Sequence, residues 1–423
     1  MNTLPAKRVL FLILALPRPT VSVRGLVCGR EAMSGTHSTS LLVADGLARR
    51  GWDVGMLILN GGRLADTAVL TFNDLGQALS WLGGGRVLWC FHGNSGVIER
   101  LRAAGTRPIV WSHIDLSSEV SGWLERDWIE GVVTVSDFCR VALLHHSKHA
   151  RIGRIYNPLN PFYDEDTGSQ LQSGRVPGQA VFAGFIGETK GAHRLFECWR
   201  AVRRSLPDAR LEVAGSARLY KDDIPLGPYG TGTPEFEKKY IAPLASEFGS
   251  LEKAGVHLRG LLSPAELRSL YHRSALGIIN LNAYNATETF SCSGVEMAAC
   301  GLHVFSMASA ALPETVGFTG TATLVTDPAR LESAFAEALS DTPDPQRIEA
   351  QKRQVRHRYQ LDRILAKWEE LLDAPADHFY RLSGPWQYSK NFRYFAKKAV
   401  AGVHAGQLLD RLLALRRSLR NTR

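Results

Sequence analysis

Two carboxylates eight positions apart, Glu288 and Glu296, bracket the stretch Glu288-Thr-Phe-Ser-Cys-Ser-Gly-Val-Glu296, which runs on as Met297-Ala-Ala-Cys-Gly301. Small residues after an apolar run read as a helix start, and Gly301 as its stop, giving a helix over about Ser291–Cys300. The first turn of a helix leaves N–H groups unpaired and carries a partial positive charge. The N–H groups of Thr289, Phe290 and Ser291 are therefore expected to face an anion, for which a diphosphate is well suited. Glu288, ahead of the helix, is placed to accept hydrogen bonds from sugar hydroxyls, and Glu296, two turns in, from a ribose. An acidic residue beside a helix N-terminus is also an ordinary capping choice, so residue types alone leave both readings open.

Other candidates are fewer. His113, in Trp111-Ser-His-Ile-Asp115 at a strand end, suits a hydrogen bond to a ligand hydroxyl or to nearby backbone. Gly35, in Ser34-Gly-Thr-His37, lies in a loop between a strand and a helix, where a missing Cβ lets backbone approach a ligand. G-x-G-x-x-G does not occur, which counts against a dinucleotide oxidoreductase. His145, His146 and His149 imitate a metal cluster, but no Cys or acid accompanies them and their helix is expected to face solvent, so no metal is expected. Asn285-Ala-Thr287 is a glycosylation sequon read as accidental.

These residues need a scaffold, and the chain is built to supply one. Its 423 residues are 45% hydrophobic and 22% charged, ordinary globular usage that excludes disordered, collagen-like and disulfide-rich classes. Six cysteines without a C-x-x-C pair suggest reduced thiols and the cytoplasm. Lys7-Arg8 and the apolar run Val9–Leu16 resemble a signal peptide, yet the run is short and ends in Pro17-Arg-Pro19, so a buried strand is expected. No run reaches the length of a membrane span.

Short apolar runs alternate with helical patterns, the signature of β/α units on parallel sheets. Strands are predicted at Val9–Leu16, Val54–Leu59, Val87–Phe91, Ile109–Ser112 and Gly131–Val135, with a helix at Ser38–Arg50. Between Asn157 and Gln179 the sequence turns polar and rich in Pro and Gly, marking a boundary. A second series follows: strands Ala180–Phe185, Arg210–Ala214, Val256–Gly260, Leu276–Leu281 and Leu302–Ser306, with helices Ala192–Ser205 and Pro264–Ser274. The expected fold class is α/β, two doubly wound Rossmann-like lobes with a cleft between them. They span 1–172 and 173–358, then come a return helix over 359–375 that packs toward the first lobe and a tail over 376–423. The segment 218–251 reads as an insertion beside the cleft.

The tail differs from the body. Between Arg381 and Arg423 there are ten Lys/Arg against one acid, Asp410, which equals the whole net charge of +9. Seven aromatics (Phe379, Tyr380, Trp386, Tyr388, Phe392, Tyr394, Phe395) precede Leu408, Leu412, Leu415 and Leu419, which recur at helical spacing opposite arginines. Such a basic amphipathic segment suits an anionic membrane surface or docking on the first lobe.

The stretch Glu288-Thr-Phe-Ser-(x)4-Glu296-Met-Ala-Ala-Cys-Gly301 resembles the E-G-F-G-(x)4-E-A-M-A-C-G motif of the retaining GT-B glycosyltransferases of family 4. The resemblance extends to Val133-Thr-Val-Ser136, Tyr156-Asn-Pro158, Phe182-Ala-Gly-Phe-Ile-Gly-Glu-Thr-Lys-Gly191, Arg210-Leu-Glu-Val-Ala-Gly215, Val256-His-Leu-Arg-Gly260 and Ser263-Pro-Ala-Glu-Leu267, over about residues 8–372. It implies a metal-independent hexosyltransferase that moves a sugar from a nucleotide-sugar to a lipid-linked or polysaccharide-type acceptor with retention of configuration. The nucleotide-sugar is a co-substrate, and no cofactor is implied.

The same resemblance implies Lys190 as the cation facing the leaving diphosphate, Gly184 in the phosphate loop, and His113 as a hydrogen-bond partner of the donor sugar. Glu288, Thr289, Phe290, Ser291, Glu296 and Gly35 complete the expected donor site. One departure stands out: the family commonly places Arg after the first glycine of the Lys190 segment, where this chain has Phe185. Two further readings follow from the residues: a catalytically inactive partner subunit that binds a nucleotide-sugar or glycan, and a nucleic-acid binder using the tail, the less favoured of the two. The expected location is cytoplasmic, peripheral on the inner face of the plasma membrane.

Overall fold

The computed structural model describes residues 7–91, 96–114, 116, 118–143, 146–164, 174–221, 223–283, 288–341 and 344–384. The chain folds into two units, one formed by Met1–Val23, Thr39–Pro158 and Leu361–Arg423, the other by Arg24–Ser38 and Leu159–Gln360.

In the first unit seven strands lie in the order Leu70–Phe72, Asp53–Ile58, Arg8–Ile13, Arg86–Phe91, Ile109–Ser112, Gly131–Thr134, Ile152–Arg154, every pairing parallel. Val9 to Ile13 are all buried, the unbroken apolar run expected of a central parallel strand covered on both faces. This settles the signal-like segment as a strand, shorter than the expected Val9–Leu16. Trp89 and Phe91 pack on Trp123, with ring centroids 5.4 and 5.6 Å away. The helix expected over Ser38–Arg50 opens at Gly35 and runs to Arg49, three residues earlier than its apolar spacing suggested; Gly35–Ser38 belong to the second unit and Thr39–Arg49 to the first. Ser38 N–H already donates to Ser34 O at 3.0 Å, so Gly35 begins a helical turn rather than lying in a loop.

The chain returns to this unit through the helix Leu361–Asp373, whose Trp368 meets Trp111 at 4.6 Å and whose Asp362 and Glu369 hold Arg50 at 2.9 and 2.7 Å. Beyond it Phe379 is fully buried. A Cβ at Gly131 would meet the Phe379 ring at 2.7 Å, and one at Gly153 would meet the Phe379 carbonyl at 2.8 Å, so glycine makes the room. Arg154 N–H donates to Ser383 Oγ at 2.7 Å, and the buried Asp137 sits between Arg140 at 2.6 Å and Arg154 at 3.2 Å. The first nine tail residues thus dock on the first unit; the rest of the tail, with its leucines and most of its aromatics, lies outside the described residues.

In the second unit six strands lie in the order Val256–Gly260, Arg210–Ala214, Gln179–Ala183, Leu276–Ile278, His303–Met307, Thr323–Val325, again all parallel. Counted along the chain this is 3-2-1-4-5-6, the doubly wound order. The helix Ala192–Ser205 buries Phe196 and Trp199 on the sheet beside Phe305 and Phe335, and Trp199 Nε1 donates to Ala254 O at 2.9 Å. Its ends, and those of Arg210–Ala214 and Val256–Gly260, fall where the apolar periodicity puts them. The strand Gln179–Ala183 stops two residues short of expectation because Gly184 turns to φ +151°, a conformation L side chains rarely adopt.

Candidate functional site

In a doubly wound sheet, ligands bind beyond the C-terminal ends of the two neighbouring strands where the winding reverses. In the second unit those strands are Gln179–Ala183 and Leu276–Ile278, paired with Phe182 opposite Ile278. Gly184 and Lys190 follow the first, Asn280 and Glu288 the second. The pairing brings Lys190 Nζ to 2.6 Å from Glu288 Oε2, across 98 positions of sequence. Asn280 Nδ2 donates to the same oxygen at 3.3 Å. Glu288 is almost wholly buried, whereas Lys190 keeps 24% of its side chain exposed. Burial disfavours the Lys190 ammonium, but the charge of Glu288, with Tyr220, the hydrogen bond and Cys292, outweighs it and holds the group above its ordinary pKa.

The helix after Glu288 is Cys292–Ala299, with Ser291 as N-cap: its Oγ accepts from Gly294 N–H at 3.2 Å. The first-turn amides are therefore those of Cys292, Ser293 and Gly294, not those of Thr289, Phe290 and Ser291. Phe290 instead packs edge-on against Tyr359 at 5.4 Å, and Thr289 is buried. Glu296 lies on this helix, half-buried, and the surrounding protein raises its carboxyl pKa to about 7. Tyr163 and Tyr271, both fully enclosed, lie within reach of its charge.

Gly35 belongs to the second unit, where a Cβ would come 2.8 Å from Cys292 Sγ. The requirement for glycine is thus contact with the start of this helix. The segment 218–251 is ordered by one buried carboxylate: Glu237 accepts the N–H groups of Tyr229 at 2.7 Å and of Thr231 and Gly232 at 2.8 Å. Its π-helical turn Glu237–Ile241 sets Lys239 at 3.3 Å from Glu188 and lets the Tyr240 hydroxyl donate to the same carboxylate, two residues before Lys190. At the position of the departure from the resembled motif, Phe185 lies against Tyr220, ring centroids 5.6 Å apart and planes tilted by 32°.

Tyr220 and Asn280 escaped sequence reasoning. Asn280 had a signal, a lone polar residue inside the apolar run Leu276–Leu281. Tyr220 had none.

His113 stands in the first unit at the end of Ile109–Ser112, buried, its ring 4.6 Å from Trp111 and its N–H donating to Phe91 O at 3.1 Å. The histidine cluster needs correcting. His146 is buried rather than solvent-facing and does have an acid beside it: Nε2 lies 3.2 Å from Ser121 O and from Glu125. His149 meets Tyr380 edge-on at 6.0 Å, and His145 lies outside the described residues, as do Asn285, Ala286 and Thr287. No group of three or more His, Cys, Asp or Glu among the described residues could hold a metal, and none of their helices is long and apolar enough to cross a membrane. All six cysteines are free thiols.

Comparison with known proteins bears on the fold and on this unit. The profile of the family described as glycosyl transferases group 1 matches residues 170–355. No curated protein matches the chain. Among solved structures it is similar to sucrose-phosphate synthase from Thermosynechococcus elongatus, with a TM-score of 0.62 at 15% identity over 86% of this chain and 98% of that one. Anabaena HepE, solved with UDP and glucose, gives 0.60 at 14% identity over 86% and 99%. A glycosyltransferase from Rickettsia africae gives 0.60 at 15% over 87% and 98%. These likenesses establish an α/β fold with parallel sheets of the kind found in GT-B glycosyltransferase structures.

Proposed function

We propose that the chain is a retaining, metal-independent glycosyltransferase of family 4 that moves a hexosyl group from a nucleotide-sugar to a lipid-linked or polysaccharide-type acceptor. The observation that carries this reading is the Lys190–Glu288 pair at the winding reversal of the second unit, next to the capped start of the helix bearing Glu296. As the glycosidic bond breaks, its electron pair passes to the diphosphate, and negative charge gathers there. Fixed donors stabilise that charge without reorganising: the Lys190 ammonium and the amides at the start of Cys292–Ala299. Gly184 leaves the phosphate loop without a Cβ, and Gly35 does the same at the helix start. Glu288 accepts hydroxyls of the sugar, Glu296 those of the ribose, and His113 supplies a hydrogen bond to the donor sugar. The basic, aromatic residues beyond 384 suit an anionic membrane at the cytoplasmic face, where a lipid-linked acceptor would lie.

HepE was solved with UDP and glucose, so UDP-sugars are the first donors to try. In a thermal-shift series with UDP-glucose, UDP-N-acetylglucosamine, GDP-mannose and ADP-glucose, with and without EDTA, one base should shift the melt regardless of chelator. At about 100 times its Kd a ligand adds roughly 2.7 kcal/mol. The shift should vanish in Glu296→Ala, and analysis of the product anomer then tests retention. No shift with any donor, or an equal shift in Glu296→Ala, refutes the reading. Phe185, in place of a phosphate-gripping arginine, favours one alternative, a non-catalytic binding subunit. Turnover of any donor eliminates it.

A further inference from the structure

Beside the Lys190–Glu288 pair stands a feature that charge stabilisation does not use. Phe185 follows Gly184 directly, and its ring lies against Gly187, whose missing Cβ leaves room for it. Tyr220 leans on it with ring centroids 5.6 Å apart and planes 32° from parallel. Tyr220 is 57% exposed; of the large hydrophobic side chains most exposed among the described residues, Leu70, Tyr220 and Leu261, it alone is aromatic. The turn just before it is held: Ser216 Oγ accepts from Arg218 N–H at 3.1 Å, Arg218 Nε donates to Ile224 O at 2.8 Å, and Ala217 N–H donates to Thr231 O at 2.7 Å. The phenol is near enough to feel the charges of Lys190 and Glu288.

A fixed aromatic face beside a buried carboxylate is what a pyranose ring requires. Such a ring carries an apolar C–H face and a rim of hydroxyls, and the two groups take one each. A nucleobase also has a flat face and N–H donors, so the two occupants are told apart by comparing nucleotide-sugar with bare nucleotide. Resting on the glycosyltransferase reading, we propose that Tyr220, backed by Phe185, is the stacking face for the sugar ring of the nucleotide-sugar and selects which hexose is accepted. The segment 218–251 is then a specificity element, because it carries and holds Tyr220.

The test compares each nucleotide-sugar with its bare nucleotide. Titration calorimetry of UDP-glucose against UDP, and of GDP-mannose against GDP, is run on the full chain, on Tyr220→Ala and on Tyr220→Phe. Tyr220→Ala should weaken the bound nucleotide-sugar about tenfold and leave the nucleoside diphosphate unchanged, while Tyr220→Phe binds both within about twofold of the parent. Equal weakening of both ligands would place the ring against base or phosphate and overturn the proposal. So would a loss in Tyr220→Phe as large as in Tyr220→Ala, or no loss in either variant. A parent chain that binds none of the four ligands removes the glycosyltransferase reading and this proposal with it, whereas intact binding unaffected by Tyr220→Ala removes this proposal alone.

Discussion

Replacing Lys190 by Met keeps much of the side-chain bulk and removes the ammonium 2.6 Å from Glu288 Oε2. At that distance an effective dielectric of about 20 gives a gross attraction of about 6 kcal/mol, partly offset by the cost of desolvating both groups. Glu288 is 4% exposed and would keep the Asn280 amide at 3.3 Å, a weak replacement for a cation. Stranding a buried carboxylate in this way costs about 3 kcal/mol or more. For a unit of this size that lowers its melting temperature by roughly 6–12 °C. Thermal unfolding at pH 8, for the parent, Lys190→Met, Glu288→Gln and the double variant, supplies the cycle. A cost below about 0.5 kcal/mol at pH 8, with additive effects in the double variant, would falsify the claim that the pair is coupled.

Two other predictions concern titration and docking. With its carboxyl at about 7 when folded against 4.5 in its ordinary state, Glu296 contributes stability below about 4.5 that is lost as pH rises through 7, so Glu296→Gln should stabilise the ligand-free protein at pH 8 and change little at pH 4.5. If the ionised form binds the ribose, donor affinity in the parent falls about tenfold from pH 8 to pH 6 and the Gln variant flattens that slope; a slope unchanged in Glu296→Gln would show that another group titrates. Phe379→Ala empties a fully buried site between Gly131 and Gly153 and should cost about 3–5 kcal/mol in denaturant unfolding of the first unit, and a loss under about 1 kcal/mol would mean that the segment after Asp373 is not part of its core.

The scaffold was legible wherever local pattern and burial agree. Ala192–Ser205 shows its apolar face at helical spacing between Gly191 and Pro207, and the strands of both sheets are short apolar runs bounded by turn residues. Boundaries drifted where tertiary contacts override local pattern: Gly184 ends its strand early, and Ser34 starts a helix at a glycine. Proximity was the part that could not be read. Tyr220 lies against Phe185 because a parallel crossover sets the C-terminal ends of two strands side by side, Cys292 lies against Gly35 although no strand of that sheet joins them, and nothing in either member of such a pair announces the other. Ser291 could equally have begun the helix or capped it, and its side-chain bond to Gly294 decided which amides form the first turn.

The return of the chain to its first unit also governs how the protein can be made. Trp368 and Phe379, which close over Trp111 and the Gly131–Gly153 edge, are translated only after the whole stretch from Leu159 to Gln360 has been synthesised. At about 5–20 residues per second that stretch takes roughly 10–40 s to synthesise. Throughout that interval the nascent first unit keeps an aromatic face bare, while the second unit has all its strands by Gln360. Newly made chains therefore need shelter from aggregation at the N-terminal end of the chain, and a ribosome that stalls anywhere between Leu159 and Trp368 leaves a product whose earliest residues are the ones still unfinished.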